Sequence, residues 1–398
     1  MNRSPAAANR LPNVDALRGF ALLGILAVNI WSFADPYFAS GINNPRYPGA
    51  LDVAARFAEA LLFEAKFYLL FSFLFGYSFT LQMAAAERAG AAFRPRMVRR
   101  AVGLIVLGVL HGCLLFYGDI LHLYGLLSFL LIAWRGTQRQ EVRYAALLLL
   151  LAAAMLFALG VVVLLAGDPA PDPQAALARL AAFHGGAGST QAYIMGEFPS
   201  TVLLLLFGQG PSALAMFLLG MAAGRRRLFA QVEAFRHLLP HVLRVGLPVG
   251  LAGALLYAAA SEFDTGGAMV MFATGLNYLT APFLTMAYVA ALLMAFDSRH
   301  GARIVAALAP MGKLALSNYL MQSLLMAWLF TGYGLRLCDE LPPLAVLALV
   351  PPIYAAQMGL SAWWLKRHTY GPAEWLLRAV TNREWTAQAR GRVQPPSR

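Results

Sequence analysis

Ten stretches of the chain stay apolar for about the 20 residues that a helix needs to cross a bilayer. They fall near 16–34, 63–86, 98–117, 119–134, 143–167, 198–223, 242–260, 268–296, 305–330 and 342–365. The pattern predicts an all-α polytopic membrane protein of about ten transmembrane helices. The third and fourth stretches are separated only by Tyr117-Gly118-Asp119. A tight helical hairpin fits this best, and one long bent helix is the alternative. Residues 35–56 hold Pro36, Asn43, Asn44, Pro45 and Pro48, which predict an irregular loop. The longest polar connection is 168–197, with an amphipathic patch at Ala175–Phe183; it is either the wall of a vestibule or a surface connector. Near the end, Tyr370-Gly371-Pro372-Ala373-Glu374-Trp375 reads as a short amphipathic helix started by Pro372 and lying at an interface.

Composition agrees with this pattern. The 398 residues are 60% hydrophobic and 13% charged, about half the charge of a soluble domain. One membrane domain, 1–398, is expected, with 1–15 as an N-terminal segment and 366–398 as an amphipathic tail. No cleavable signal pattern precedes the first run. The formal charge of +12 would suggest nucleic acid in a soluble protein, but here the basic residues lie in loops, where they set orientation. Placing both termini in the cytoplasm puts 26 of the 31 basic residues on that side, Arg3, Arg10, Arg88, Arg94, Arg135, Arg390, Arg392 and Arg398 among them. Only Arg46, Arg56, Lys66, Arg179 and Arg336 fall outside. Cys113 and Cys338 imply no disulfide framework.

The candidate chemistry lies at membrane depth, where ionisable groups are costly and usually functional. Gly108–Tyr124 reads GVLHGCLLFYGDILHLY and places His111, Asp119, His122 and Tyr124 within an apolar run. His111 is either a neutral histidine satisfied by a neighbouring helix or a general base or proton relay. Asp119 is either a helix cap or the carboxylate that orients a histidine. No familiar metal-ligand spacing is present, so no metal is expected.

Asp15 and Arg18 open the first run, as cap and headgroup-reaching cation or as parts of a site. Asn29 lies eleven residues after Arg18, which on a helix returns to the same face about 16 Å further along. Glu64 and Lys66 begin the second run and point to different faces, as interfacial anchors or substrate contacts. Ser72, Gly76 and Ser78 look like close-packing positions. Asn318 and Gln322 form a polar ridge, for interhelical bonds or substrate. Gly208-Gln209-Gly210-Pro211 is a weak sign of a broken helix, and no inverted repeat is visible.

The segments VDALRGFALLGILAVNI, KFYLLFSFLFGYSF, LGVLHG with GDIL and YGLL, LALSNYLMQSLL with GYG, and YGPAEWLLRAVT together resemble the YeiB-like family of bacterial inner-membrane proteins. That family is catalogued as a domain of unknown function. A wider resemblance is to transmembrane acyltransferases, including bacterial sugar O-acyltransferases and the heparan-α-glucosaminide N-acetyltransferase. It rests on Asp15-x-x-Arg18-Gly19 and the polar residue eleven past the arginine. Where the sugar enzymes have histidine this chain has Asn29, and residues 35–56 lack the histidine that the heparan enzyme carries in its first luminal loop.

The resemblance implies a membrane acyltransferase of the bacterial inner membrane, in contact with the lipid bilayer, with no permanent cofactor and no nucleic-acid partner. An acyl-CoA-like donor would meet Asp15, Arg18, Arg99 and Arg100 from the cytoplasm. A sugar or glycan acceptor would meet Glu64, Lys66, His122, Tyr124, Asn318 and Gln322. The resemblance carries no catalytic histidine over, and the residues themselves give the catalytic expectation: His111 as base or acyl carrier, Asp119 as its stabiliser and Asn29 as oxyanion donor. A homodimer is implied by resemblance alone. Two other classes stay open: a transporter or proton-coupled permease, and a scaffold or sensor whose polar groups are all satisfied by packing with no cavity reaching either surface.

Overall fold

The computed structural model describes residues 11–383 except 89, 91, 135, 168–172 and 264–266. Arg3, Arg10, Arg135, Arg390, Arg392 and Arg398, the aspartate- and proline-rich part of the longest connection and the tail beyond 383 lie outside the described residues. The helices are α1 (Pro12–Asn29), α2 (Trp31–Ala34), α3 (Ala50–Leu62), α4 (Lys66–Arg88), α5 (Phe93–Leu114) and α6 (Leu121–Ala133). They continue with α7 (Gln138–Ala166), α8 (Gln174–His184), α9 (Ala187–Leu204), α10 (Gly210–Arg225), α11 (Val232–Phe235) and α12 (Leu239–Phe263). The last five are α13 (Ala268–Phe296), α14 (Gly301–Lys313), α15 (Ala315–Phe330), α16 (Pro343–Leu365) and α17 (Pro372–Asn382).

Among the described residues, eight helical segments are long and apolar enough to cross a membrane, and nine if the bent pair α14–α15 is one crossing. This is the expected all-α, multi-pass architecture. The fourth expected span is shorter than its apolar run suggests. Residues 115–120 form a turn, so α6 keeps 13 residues, about 20 Å against a hydrocarbon core of about 30 Å. α5 and α6 form a hairpin, not one bent helix: Gly108 lies so close to the backbone of His122 that no Cβ would fit there.

Further departures matter for the site. The loop expected over 35–56 stops at 49, and α3 follows it. Its Asp52, Arg56 and Glu59 lowered the local hydropathy and hid it from a search for apolar runs. α3 and α4 make one long segment broken at residues 63–65, where Ala65 adopts φ +67°. In the eighth crossing α14 and α15 meet at 75°. At 205–209 the fifth crossing has a π-helical turn, just before Pro211, which has no N–H to donate.

α1 is the central element and touches α4, α13, α14, α15 and α16. Lipid is the solvent of the outer helices, so α7 can leave Leu150, Leu159, Val162 and Leu165 exposed. Small residues set the tightest crossings. A Cβ at Gly76 would overlap the carbonyl of Phe217, and one at Gly220 would overlap that of Phe73, so α4 and α10 run backbone to backbone. Gly76→Val is therefore expected to abolish the monodisperse peak in size exclusion, since overpacking against backbone costs upward of about 1–3 kcal/mol. Gly196→Ala, which has open space around it, is the matched control. A wild-type profile for Gly76→Val would refute this contact.

Candidate active site

A cavity of about 700 Å³ runs through the molecule beside α1. Its arginine-rich end is lined by Arg18, Ser78, Gln82, Arg100, Lys313 and Glu374. Its middle is apolar and aromatic, with Phe71, Leu74, Phe75, Leu104 and Leu316. Towards the other end lie Asn29, Ser32, Phe38, Tyr117, Arg179 and Glu197. Glu64, Tyr257, Asn277 and Tyr278 form a polar side wall.

The arginine-rich end is built by close packing. Gly19 of α1 meets the Leu308 carbonyl and Gly312 meets the Asp15 carbonyl, so α1 and α14 touch where the α14–α15 crossing breaks. Asp15 does not cap its helix: α1 begins at Pro12, and the carboxylate instead accepts from Arg18 Nη1 at 2.8 Å. Arg18 also donates to the Ser78 hydroxyl, which makes Ser78 a polar contact of α4 and not a packing position. Arg100 Nε is buried without a hydrogen-bond partner. Arg99 turns away and donates to the Thr381 carbonyl at 2.9 Å, fastening α17 to α5.

α17 begins at Pro372 as expected, but it does more than lie on an interface. Glu374 accepts from Leu316 N–H at 2.7 Å, Ser317 N–H at 3.0 Å and the Ser317 hydroxyl at 2.5 Å. A carboxylate from the tail thereby caps the helix that restarts after the break and forms part of the cavity wall. Sequence reasoning missed Glu374 because its partner lies 57 residues away.

His111 and Asp119 come together as expected, but outside the cavity wall. His111 is 4% exposed and its Nδ1 lies 2.8 Å from Asp119 Oδ1. His122 Nδ1 lies 3.1 Å from Asp119 Oδ2, which also accepts the His122 backbone N–H at 3.0 Å and so closes the start of α6. The Tyr319 hydroxyl donates to Oδ1 at 3.4 Å. With the imidazole protons on Nδ1, both rings donate to one carboxylate, and each buried Nε2 is left a bare acceptor. Tyr319, Phe116 and Ile120, which surround this knot, do line the cavity.

The remaining candidates divide. Tyr124 lines the cavity and shares a 2.7 Å hydrogen bond with Ser72. Asn318 and Gln322 do not line it; they donate to Ser361 at 2.9 Å and Gln357 at 3.0 Å, an interhelical lace that leaves no amide N–H for a substrate. Lys66 is 0% exposed and donates to the Ala60 carbonyl at 2.7 Å. It is no interfacial anchor. Glu64 faces the cavity and accepts from Tyr257 at 2.6 Å. Arg179 of α8 reaches the cavity while donating to the Phe38 carbonyl at 3.0 Å, so the longest connection does shape a vestibule.

The far end is tied by Asn44, which donates to Asp35 at 3.1 Å and Asp339 at 2.7 Å. Burial holds the Asp35 carboxyl above its ordinary range. Among the described residues no group of three or more His, Cys, Asp or Glu side chains is arranged to hold a metal.

Comparison with known proteins gives a family and no activity. A family model described as a protein of unknown function (DUF418) matches residues 223–384, which include the bent crossing and the tail helix. The chain is 31% identical over 395 residues to the uncharacterized protein YxaH of Bacillus subtilis (strain 168), covering 94% of this chain and 95% of that protein. It is 31% identical over 388 residues to the uncharacterized protein YeiB of Escherichia coli (strain K12), covering 93% and 96%. An uncharacterized 39.9 kDa protein in the amylase 3' region of Bacillus acidopullulyticus is 27% identical over 394 residues.

Proposed function

The chain belongs to the YeiB-like family of DUF418 membrane proteins, and from the cavity of this member we propose an integral-membrane acyltransferase. The observation that carries the reading is the cavity itself. It has unlike ends, cationic at one and mixed polar at the other, with an apolar middle. Arg18 and Asn29 stand in the same wall, about 16 Å apart along α1. A long thioester donor has this character: phosphates at one end, an acyl carbonyl at the other. We place the arginine-rich end in the cytoplasm of a bacterial inner membrane, where Arg18, Arg100 and Lys313 meet the phosphates of an acyl-CoA. The acceptor, a sugar or glycan, enters from the periplasmic end past Arg179.

The step is addition of an acceptor hydroxyl or amine to the thioester carbonyl. The acceptor gives up its proton, the C–S bond breaks, and the thiolate leaves and is protonated. Asn29 is the amide that can donate to the developing oxyanion. His111 and Asp119 sit one layer behind the wall, and we assign them to positioning Tyr319, Phe116 and the 115–120 turn.

The test is transfer by purified protein in detergent, using a labelled acyl-CoA and a panel of sugar acceptors. Arg100→Ala is expected to weaken donor binding about 10- to 100-fold, because a charge-assisted hydrogen bond contributes about 1.5–3 kcal/mol. Unchanged donor affinity in Arg100→Ala would remove the arginine end from the reading.

A permease is the second reading, favoured by two helix discontinuities beside the cavity, the 75° break and the π-turn ending at Gln209. Uptake into proteoliposomes with no acyl donor would select it. The cavity itself argues against a closed scaffold, although the His111–Asp119 knot alone would suit one.

A further inference from the structure

The break between α3 and α4 carries a second constellation of ionisable groups. Glu59 and Lys66 are buried, at 4% and 0% exposure, and Glu64 stands between them in the chain with its carboxylate on the cavity. Neighbouring side chains satisfy the backbone freed by the break. Lys66 Nζ donates to Ala60 O at 2.7 Å and Tyr288 to Leu62 O at 3.0 Å, while Thr285 of α13 donates to Lys66 O at 3.0 Å and ties the start of α4 to α13. Ala65 holds a left-handed φ of +67° that a residue with a Cβ rarely adopts, so the packing imposes this turn.

The charges in this turn do not balance. Two carboxylates and one ammonium, all ionised, sum to −1 in a low-dielectric interior, where an uncompensated charge is expensive. Arg56 of α3 offers no relief, being paired with Glu262 at 2.6 Å. The other polar side chains that line the cavity on this side are neutral: Tyr68 from α4, Tyr257 from α12, and Asn277 and Tyr278 from α13. Glu59 Oε1 is buried and makes no hydrogen bond.

We propose that this break is a proton-exchange site, in which Glu59, Glu64 and Lys66 together hold one exchangeable proton that enters and leaves through Glu64. Glu64 is the member open to the cavity, and the Tyr257 hydroxyl orients its carboxylate. Resting on the acyl-transfer reading, Glu64 is then the catalytic base that His111, outside the wall, is not. It takes the proton of the acceptor O–H or N–H as that atom bonds to the thioester carbonyl. The electron pair of the C–S bond leaves on sulfur, which collects a proton from water in the cavity, while Glu64 returns its own proton through the cavity.

Two readouts separate the site from the reading. Infrared difference spectra between acidic and alkaline pH are expected to show a carboxylic-acid C=O band in the wild-type protein that is absent in Glu64→Gln. In the transfer assay, Glu64→Gln is expected to lower kcat by about 10²- to 10⁴-fold, the usual share of general-base catalysis, with donor affinity unchanged. Tyr257→Phe keeps the fold's apolar contacts and removes one hydrogen bond to the ionised carboxylate, so the acid limb of the pH–rate profile moves to higher pH. A band lost in Glu64→Gln without any transferase activity in the wild type would overturn the acyl-transfer reading and support the proton site. A band retained in Glu64→Gln, or an unchanged kcat and pH profile in both variants, would overturn the proton site.

Discussion

Asp119→Ala is expected to be among the most damaging single substitutions, lowering stability by about 3–5 kcal/mol. The carboxylate is 0% exposed and accepts from two imidazoles, a backbone N–H and a tyrosine hydroxyl. Alanine would leave His111 and His122 as buried donors with no acceptor, in a place water does not reach. Asp119→Asn should be milder, because one histidine can move its proton to Nε2 and accept from the new amide. The ordering is read by thermal melting in detergent. An Asp119→Ala protein that melts with the wild type would show that the knot contributes nothing to the fold. The turn it closes, 115–120, carries Phe116, Tyr117, Gly118 and Ile120 into the cavity wall, so activity should fall with stability.

The largest effect on turnover, beyond that at Glu64, is expected at Asn29. Loss of one oxyanion donor costs about 10²- to 10³-fold in kcat, and Asn29→Ala should show that loss at unchanged donor affinity. Asn29→Asp would place a negative charge where negative charge develops and should be at least as inactive. Asn29 ends α1 within the cavity wall, so truncation removes the proposed substrate contact and little packing. Single-turnover kinetics with saturating acyl-CoA would separate the chemical step from binding. A kcat within a few-fold of wild type for Asn29→Ala would exclude the amide as oxyanion donor.

Much of this was legible along the chain. Long apolar runs report helices that cross a membrane, and nearly all of them survive with shifted ends. The spacing from Arg18 to Asn29 placed both in one wall, because helical periodicity is local information. What the chain hid is what folding brings from a distance. Glu59 lay between the loop expected over 35–56 and the apolar run from 63, in a helix whose own charges lowered its hydropathy. Glu374 sat in a tail that reads as amphipathic surface until Leu316 and Ser317 supply its donors. His111 showed the reverse error: depth in the bilayer marked it as unusual, but depth cannot distinguish a group facing a cavity from one facing Asp119. For Asn318 and Gln322, a shared helix face predicted a polar ridge correctly and was silent about whether Ser361 and Gln357 would claim it.

The cap that Glu374 places on α15 has a consequence for biogenesis. α17 follows all the membrane-crossing segments found among the described residues, so those crossings can be inserted before the residue that completes the cavity's arginine end has left the ribosome. Until then the start of α15 holds two uncapped N–H groups, and Arg18 and Arg100 line the cavity without the carboxylate of Glu374. The arginine end is thus completed last, after the crossings that precede it have entered the bilayer.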